Sequence, residues 1–458
     1  MTHPTSQRLK ILHLSDIHLG SGFNHGHIDP ETRRNTRLGD FLRSLSACID
    51  RAIAEPVDLV LFGGDAFPDA TPPPYVQEAF AQQFHRLAAA QIPTVLLVGN
   101  HDQHSQGEVA SLCIYRTLAV PGFVVGDRLA THRIHTNNSP VQIVTLPWLT
   151  PSSLLERPET EQLSVVEVRE LLLQRLQVAL EGEIRQLDPD VPTVLLAHVM
   201  ADRAQLGAER FLAVGKGFTI PSELLARPEF DYVALGHVHK HQNLNPSNDP
   251  PIVYPGSIER VDFSEEKEAK GYVLIELAKQ QVAWEFCPLA TRPFHTIRVD
   301  VTQSEEPQAA LLAAIAKTPI NDAVVRLLYT LRTDQLDAID PAALHTALSP
   351  AHNYAMRAEL ASQMRSRLPE LGAGSQLAPL EALELYLNEK SDLKDLRTDM
   401  LTAAQQLLNG ESIEFSLDHA DTGKKNTGKQ KRAREAATEY AATEKKVVPI
   451  HGAQLRLL

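Results

Sequence analysis

Five apolar segments share one design, and they constrain the fold of this chain more than any other feature. Each begins as a run of aliphatic residues, reaches a small residue or a turn, and then presents Asp, Asn or His. The segments are KILHLSDIHLG (10–20), VDLVLFGGDAF (57–67), PTVLLVGNHD (93–102), PTVLLAHVM (192–200) and DYVALGHVHKH (231–241). Near-continuous aliphatic runs are typical of strands that are buried on both faces. Their carboxyl ends should therefore meet at the crevice where α/β sheets bind ligands.

The polar side chains at these five ends form a candidate metal site. They are Asp16, His18, Asp65, Asn100, His198, His237 and His239. One such residue after a strand is usually a turn residue, but five similar ends favour a shared site. Seven oxygen and nitrogen donors exceed the four that a tetrahedral zinc needs, and they fit two cations that share a carboxylate. Mixed His, Asp and Asn ligation suits Mn, Fe or Zn better than Mg or Ca, and manganese is our leading expectation.

A pair of cations at this position favours phosphoester hydrolysis. Two ions about 3.5–4 Å apart can stabilise both the attacking and the departing oxygen of a displacement at phosphorus. His101 lies beside Asn100 and is not needed as a ligand. We expect His101 to be catalytic, protonating the leaving oxygen or stabilising charge there. The alternative is that His101 only forms a hydrogen bond to a backbone carbonyl.

Charge and composition limit the remaining possibilities. The net charge of −13 should repel nucleic acid, so a phosphate-rich substrate needs a local positive charge such as bound metal ions. No apolar run approaches the roughly 18 residues that cross a bilayer, so we expect no membrane span. The N-terminus lacks an apolar signal core, and three cysteines are too few for a disulfide framework. These features predict a cytoplasmic protein.

The sequence predicts four regions. Residues 1–290 alternate short apolar runs with helical patterns, which predicts an α/β domain. Residues 291–370 predict a small α+β unit with FHTIRVDV and AVVRLLYTLR as strands and PQAALLAAIA and PAALHTAL as helices. Over residues 371–415 the sequence predicts two helices, each with an apolar stripe. These stripes pack either on this chain or in a groove of a partner protein. Residues 416–458 predict a flexible basic tail that either tethers nucleic acid or keeps a linker soluble.

The order DIH, GD, GNHD, AH and GHVH resembles that of the calcineurin-like metallophosphoesterases. Residues 254–277, YPGSIERVDFSEEKEAKGYVLIEL, are similar to the segment that follows the GHxH block in the SbcD family of nuclease subunits. The resemblance implies an α/β metallophosphoesterase sandwich, a small α+β capping domain and C-terminal helices that clasp an SbcC-like ATPase subunit. It also implies a homodimer of nuclease subunits within a heterotetramer.

The resemblance further implies an activity and a role for each site residue. The implied activity is Mn-dependent cleavage of DNA in repair and recombination. The protein would act as an exonuclease on duplex DNA and as an endonuclease on single-stranded or hairpin DNA. One manganese is implied at Asp16, His18, Asp65 and His239, and the other at Asp65, Asn100, His198 and His237. His101 carries over as the catalytic histidine.

One position departs from the family pattern. Pro68 stands where relatives carry an Asp or a His that orients the catalytic histidine. Asp69 is the nearest replacement, although a shift of one residue changes the direction of the side chain. The GDAFPDA block also lacks the arginine of protein phosphatases, which argues against that activity.

Two other functions stay open. One is hydrolysis of small phosphodiesters or nucleotides on the same fold. The other is a scaffold that tethers DNA ends with an idle metal site, an interpretation motivated by Pro68. Arg33, Arg34 and Arg37 follow the first ligand pair, and they either contact DNA phosphates or form a solvated helix start.

Overall fold

The computed structural model describes residues 8–103, 110–150, 163–205, 219–246, 249–361, 379–389 and 396–408. It divides into two units, Met1–Ser362 and Gln363–Leu458. Within the described ranges, no helix combines the length and the apolar character that crossing a bilayer requires.

Two six-stranded sheets form the centre of the first unit. In spatial order, the first contains β14 (Gln281–Pro288), β13 (Gly271–Ala278), β1 (Leu9–Leu14), β2 (Leu59–Phe62), β3 (Thr94–Leu97) and β4 (Phe123–Gly126). The second contains β11 (Gln242–Asn243), β12 (Ile252–Tyr254), β10 (Tyr232–Gly236), β7 (Thr193–His198), β6 (Pro140–Leu146) and β5 (Ala130–His135). The short strands β8 (Met200–Ala201) and β9 (Thr219–Ile220) pair with each other.

Parallel strands occupy the middle of both sheets. β1 to β4 run parallel in the first sheet, and β6, β7, β10 and β12 run parallel in the second. Antiparallel strands lie at the margins, namely β13 with β14, β5 and β11. The carboxyl ends of β1, β2 and β3 are therefore neighbours, and so are those of β7 and β10.

The two sheets pack face to face, with helices on the outside. The layer between them contains Ile11 and Leu61 of the first sheet together with Val194 and Tyr232 of the second. The outer helices are α1 (Thr36–Ala54), α2 (Pro74–Ala89) and α3 (Cys113–Thr117) over the first sheet, with α4 (Val165–Ile184) and α5 (Ser222–Leu225) over the second. This arrangement confirms the predicted α/β metallophosphoesterase sandwich.

The helix expected between the first two strands forms as its pattern predicts. In α1, Phe41, Leu45 and Ile49 are buried on one face against the first sheet. The side chain of Asn35 accepts a hydrogen bond from the main-chain nitrogen of Arg37 (2.9 Å) and so caps the helix. Sequence and tertiary packing therefore agree on this helix.

A small α+β subdomain follows the second sheet within the first unit. Its elements are β15 (Phe294–Asp300), α6 (Pro307–Ala316), β16 (Val324–Leu331), α7 (Pro341–Leu348) and β17 (Asn353–Leu360). The three strands are parallel, and both helices pack on one face of the sheet. The sequence pattern did not predict β17, because this edge strand is largely exposed and has few aliphatic side chains. The boundary at residue 290 stays a prediction.

The described part of the second unit consists of two helices in contact. They are α8 (Pro379–Glu389) and α9 (Arg397–Leu408). Leu387 is buried, and Arg397 forms an ion pair with Glu384 at 2.9 Å. The helix starts at Pro379, in keeping with the preference of proline for a first turn. The predicted tail, 416–458, lies outside the described residues.

Candidate metal centre

Tight turns at the strand ends direct the candidate ligands into one crevice. Asp16, His18, Asp65 and His237 all have positive φ angles, of 52°, 46°, 59° and 99°. This left-handed backbone is uncommon for residues other than glycine, and strained conformations of this kind often cluster at functional sites. Gly236 precedes His237, and a Cβ there would overlap the carbonyl oxygen of Gly63. The ends of β2 and β10 thus approach each other closely beside the ligands.

One group of donors comes from the ends of β1 and β10. Asp16, His18 and His239 are buried, and one ligand atom from each lies within 4.8 Å of the others. The Nε2 atoms of His18 and His239 are 3.0 Å apart. The carboxylate of Asp16 accepts the main-chain N–H of His237 at 3.0 Å, which connects the ends of the two sheets.

A second group comes from the ends of β2, β3, β7 and β10. Asp65 Oδ2 lies 3.2 Å from Nε2 of His198. The Oδ1 atom of Asn100 lies 2.9 Å from the same nitrogen and 2.8 Å from Nδ1 of His237. Asp65 Oδ2 is also 3.7 Å from Nε2 of His18, so this carboxylate lies between the two groups. The structure therefore brings all seven predicted residues together.

Acceptor atoms around the two groups fix the orientation of the imidazole rings. Nδ1 of His198 lies 2.6 Å from the carbonyl oxygen of Gly63. Nδ1 of His239 lies 2.7 Å from Oε1 of Glu265. A carbonyl or carboxylate oxygen can only accept, so Nδ1 donates in each pair and Nε2, which faces the crevice, is the nitrogen that would bind a cation once it is deprotonated. Such outer partners are typical of metal-binding histidines.

His101 is held by main-chain atoms. Its main-chain N–H donates to Oδ1 of Asp65 at 2.9 Å, and its Nδ1 lies 2.7 Å from the carbonyl oxygen of Pro68. The main chain of Pro68 thus supplies the acceptor that orients the ring of His101. The suggested substitute, Asp69, is wrong: it is exposed, and its carboxylate accepts from the main chain of Thr71 (2.9 Å).

Asp102 received no role in the sequence analysis, yet it connects two ligand loops. This fully buried carboxylate accepts the main-chain N–H groups of Asp65 (3.0 Å), Ala66 (3.0 Å) and Gly99 (2.9 Å). Burial and the nearby charge of Asp65 raise the pKa of Asp102 to about 7 despite these donors. An aspartate two residues after a ligand was the only signal in the sequence.

Charges in the crevice perturb several ionisation equilibria. Burial raises the pKa of Asp16. Burial opposes ionisation of Asp65 as well, but His198 and His18 hold its pKa well below the usual range. Burial alone would lower the pKa of His198, whereas the Asp65 carboxylate raises it to about 9. Burial, with a contribution from His198, lowers the pKa of His237 to about 3.

These residues fit a cation centre. The donor set combines two buried carboxylates, one amide oxygen and four imidazoles. Nε2 of His198 and Nδ1 of His237 both face Oδ1 of Asn100, at 2.9 and 2.8 Å, and a cation among these three atoms would accept a lone pair from each. The Nε2 atoms of His18 and His239 face each other in the same way, so both could bind one cation.

Arg37 is neither available to a substrate nor exposed to solvent, which corrects both interpretations of the arginine cluster at this residue. Its guanidinium is fully buried and pairs with Asp40 (2.5 Å) and the carbonyl oxygen of Arg260 (2.6 Å). Arg33 and Arg34 are exposed on the preceding loop. Arg37 therefore stabilises the fold instead of contacting phosphates.

Histidine, aspartate and asparagine donors at the carboxyl ends of two stacked sheets define this protein as a metal-dependent phosphoesterase. The chain belongs to the calcineurin-like phosphoesterase family, whose sequence model matches residues 9–241.

Two curated relatives are more specific, and both are the SbcD component of the nuclease SbcCD. The chain is 28% identical over 365 residues to the protein from Rhodobacter capsulatus, covering 74% of this chain and 84% of that protein. It is 26% identical over 295 residues to the protein from Staphylococcus epidermidis, covering 64% and 72%. The resemblance of the chain to SbcD nuclease subunits is thus confirmed. Among solved structures, a dimetal phosphatase from Danio rerio matches with a TM-score of 0.38 at 14% identity, covering 60% of this chain and 95% of that one.

Proposed function

We propose that this protein is a Mn-dependent DNA nuclease, an exonuclease on duplex DNA and an endonuclease on single-stranded or hairpin DNA, that acts with an SbcC-like ATPase in repair and recombination. The observation that carries the proposal is the convergence of seven donors around Asp65. The names of the two curated relatives support DNA cleavage as the activity.

We assign the donors to two cations that share one carboxylate. Asp16, His18, Asp65 and His239 would hold one ion. Asp65, Asn100, His198 and His237 would hold the other. When bound, such a pair lowers the pKa of water and neutralises charge on a phosphodiester. Manganese fits because the donors mix imidazole nitrogen with carboxylate and amide oxygen.

The side chains of the protein supply orientation and a proton. Gly63 and Glu265 hold the rings of His198 and His239 with Nε2 towards the crevice. The half-buried ring of His101 is fixed through Nδ1 by Pro68, which leaves Nε2 for the substrate. In this mechanism the ring acts in its doubly protonated form: Nδ1 donates to the carbonyl oxygen of Pro68, and Nε2 gives its proton to the departing oxygen of the DNA backbone. The idle metal site was suggested because Pro68 has no side chain that could orient His101. The contact from the carbonyl oxygen of Pro68 argues against that interpretation.

The proposed partners are DNA and an SbcC-like ATPase subunit, with two nuclease subunits in a heterotetramer. The helices α8 and α9 are the candidate ATPase-binding element. Leu396 and Met400 beside and within α9 are exposed and apolar, which suits a partner surface. Co-purification of the ATPase with the full-length chain, and its loss with a chain ending at residue 370, would support this assignment.

A nuclease assay tests the proposed function. Purified full-length protein with Mn²⁺ should degrade linear duplex and single-stranded DNA, and Asn100→Ala and His101→Ala should abolish this activity. Full activity in either variant would refute the mechanism. Parallel kinetics with bis-p-nitrophenyl phosphate and cyclic nucleotides separate a DNA nuclease from a hydrolase of small phosphodiesters.

A further inference from the structure

The segment after the GHVH block contains a buried carboxylate in contact with a proposed ligand. Glu265 is fully buried at the end of a short 3-10 helix, and its Oε1 lies 2.7 Å from Nδ1 of His239. The opposite nitrogen of that ring, Nε2, faces His18 at 3.0 Å. Glu265 thus contacts the one ring nitrogen that points away from the crevice.

Neighbouring groups keep this glutamate charged and in place. The other oxygen, Oε2, lies 2.8 Å from Nζ of Lys270 and accepts the main-chain N–H of Val261 at 3.0 Å. Lys270 is itself fully buried and donates to the carbonyl oxygen of His239 at 3.1 Å. The segment therefore holds both the ring and the main chain of His239.

A carboxylate acts differently from the other partners of the histidines. Being ionised, it cannot donate, so His239 keeps its proton on Nδ1 and presents a lone pair on Nε2. The negative charge also makes that nitrogen a stronger donor to a cation. By contrast, His198 is oriented by the neutral carbonyl of Gly63 at 2.6 Å. The charged partner, Glu265, therefore acts on the group of ligands that contains Asp16, His18 and His239.

We propose that Glu265 is a positioning residue that selectively raises the cation affinity of the Asp16–His18–His239 group. The inference rests on the proposed two-cation centre. It also gives a role to one buried residue of the segment 254–277.

The test measures Mn²⁺ binding directly instead of nuclease activity. Mn²⁺ is titrated into metal-free, full-length protein, and the electron paramagnetic resonance signal of the free ion gives the stoichiometry and each affinity. Wild type should bind two ions. In Glu265→Gln, one ion should bind with unchanged affinity and the other about 10–100-fold more weakly.

A matched control separates positioning from folding. Glu268 also pairs with Lys270 (2.9 Å), and the contacts described for its side chain do not include His239. Glu268→Gln should therefore bind both ions like wild type. Because Lys270 keeps one acidic partner in either variant, both should fold and unfold at similar temperatures in EDTA. If Glu265→Gln is poorly folded, Glu265→Gln/Lys270→Gln removes both buried charges and should show the same selective loss.

Each outcome decides the question. Two wild-type affinities in Glu265→Gln, an equal weakening of both ions, or the same loss in Glu268→Gln would overturn the positioning role and leave the two-cation centre intact. A wild-type protein that binds no Mn²⁺ would overturn the proposed metal centre itself, and the inference with it.

Discussion

The carbonyl oxygen of Pro68 lies 2.7 Å from Nδ1 of His101, so a main-chain atom orients the proposed catalytic ring. A side chain at position 68 is therefore unnecessary for this contact. The departure at position 68 thus does not leave His101 without an orienting partner.

Substitutions at these two positions should have opposite outcomes. Pro68→Ala keeps the carbonyl group, so we expect nearly wild-type cleavage of linear duplex DNA in Mn²⁺. His101→Ala removes the proton donor and should lower kcat by about 10²–10⁴-fold, the usual contribution of general acid catalysis. Steady-state kinetics with equal metal loading provide the measurement. A comparable loss of kcat in Pro68→Ala would show that the carbonyl contact does not orient the ring.

Metal-free protein should lose stability as the pH rises from about 6.5 to 9. Burial opposes the charged form of His198, but Asp65 raises the pKa of His198 to about 9, above an ordinary value of about 6.5. The folded state therefore binds a proton that the unfolded chain has lost in this interval, worth roughly 3 kcal/mol. Urea unfolding in EDTA across this pH range measures the slope.

His198→Gln should flatten that slope, whereas His135→Gln, at an exposed position, should not. Saturating Mn²⁺ should stabilise the protein increasingly as the pH rises, because a metal binds the neutral imidazole. An identical slope in His198→Gln would assign the titration to another group.

Removal of the Asp102 carboxylate should be strongly destabilising. Asp102→Ala leaves the buried main-chain N–H groups of Asp65, Ala66 and Gly99 without their acceptor. Each buried donor left unpaired costs about 1–3 kcal/mol, so the free energy of unfolding should fall clearly. Asp69→Ala is the control, because that exposed side chain should change stability by no more than about 0.5 kcal/mol. Urea unfolding with similar values for both variants would contradict the role of Asp102.

The sequence was sufficient for those parts of the site that depend on local pattern. An aliphatic strand followed by Asp, Asn or His is visible in the chain itself, and this pattern identified all seven donors that converge. Contacts between distant segments were not visible. Glu265 reaches His239, and Gly63 reaches His198, only because the two sheets stack. Neither of these two contacts can be seen in the sequence.

The same distinction applies to the fold. The helical spacing of apolar residues such as Phe41 and Leu45 predicted α1. That spacing is visible because one face of the helix packs on the sheet. The pattern of β17 is weak, since an exposed edge strand needs few aliphatic residues. Arg37 was taken for a surface residue because arginine is rarely buried, and its acidic partners lie on two segments, at Asp40 and Glu259.

The buried carboxylate of Asp40 should matter far more to stability than the exposed arginine that also contacts it. Asp40 binds the guanidinium of Arg292 through both oxygens, at 2.7 and 2.8 Å, and pairs with the fully buried Arg37. Asp40→Ala leaves two buried cations without this partner, which typically costs about 3–5 kcal/mol. Arg43→Ala removes only a partner whose side chain is 67% exposed, so we expect a loss of about 0–1 kcal/mol.

Because Arg292 lies just before β15, Asp40→Ala should also loosen the α+β subdomain, detected as faster amide exchange in β15 and β16. Equal stability losses in the two variants, measured by urea unfolding, would show that the buried pairing contributes no more than a surface ion pair.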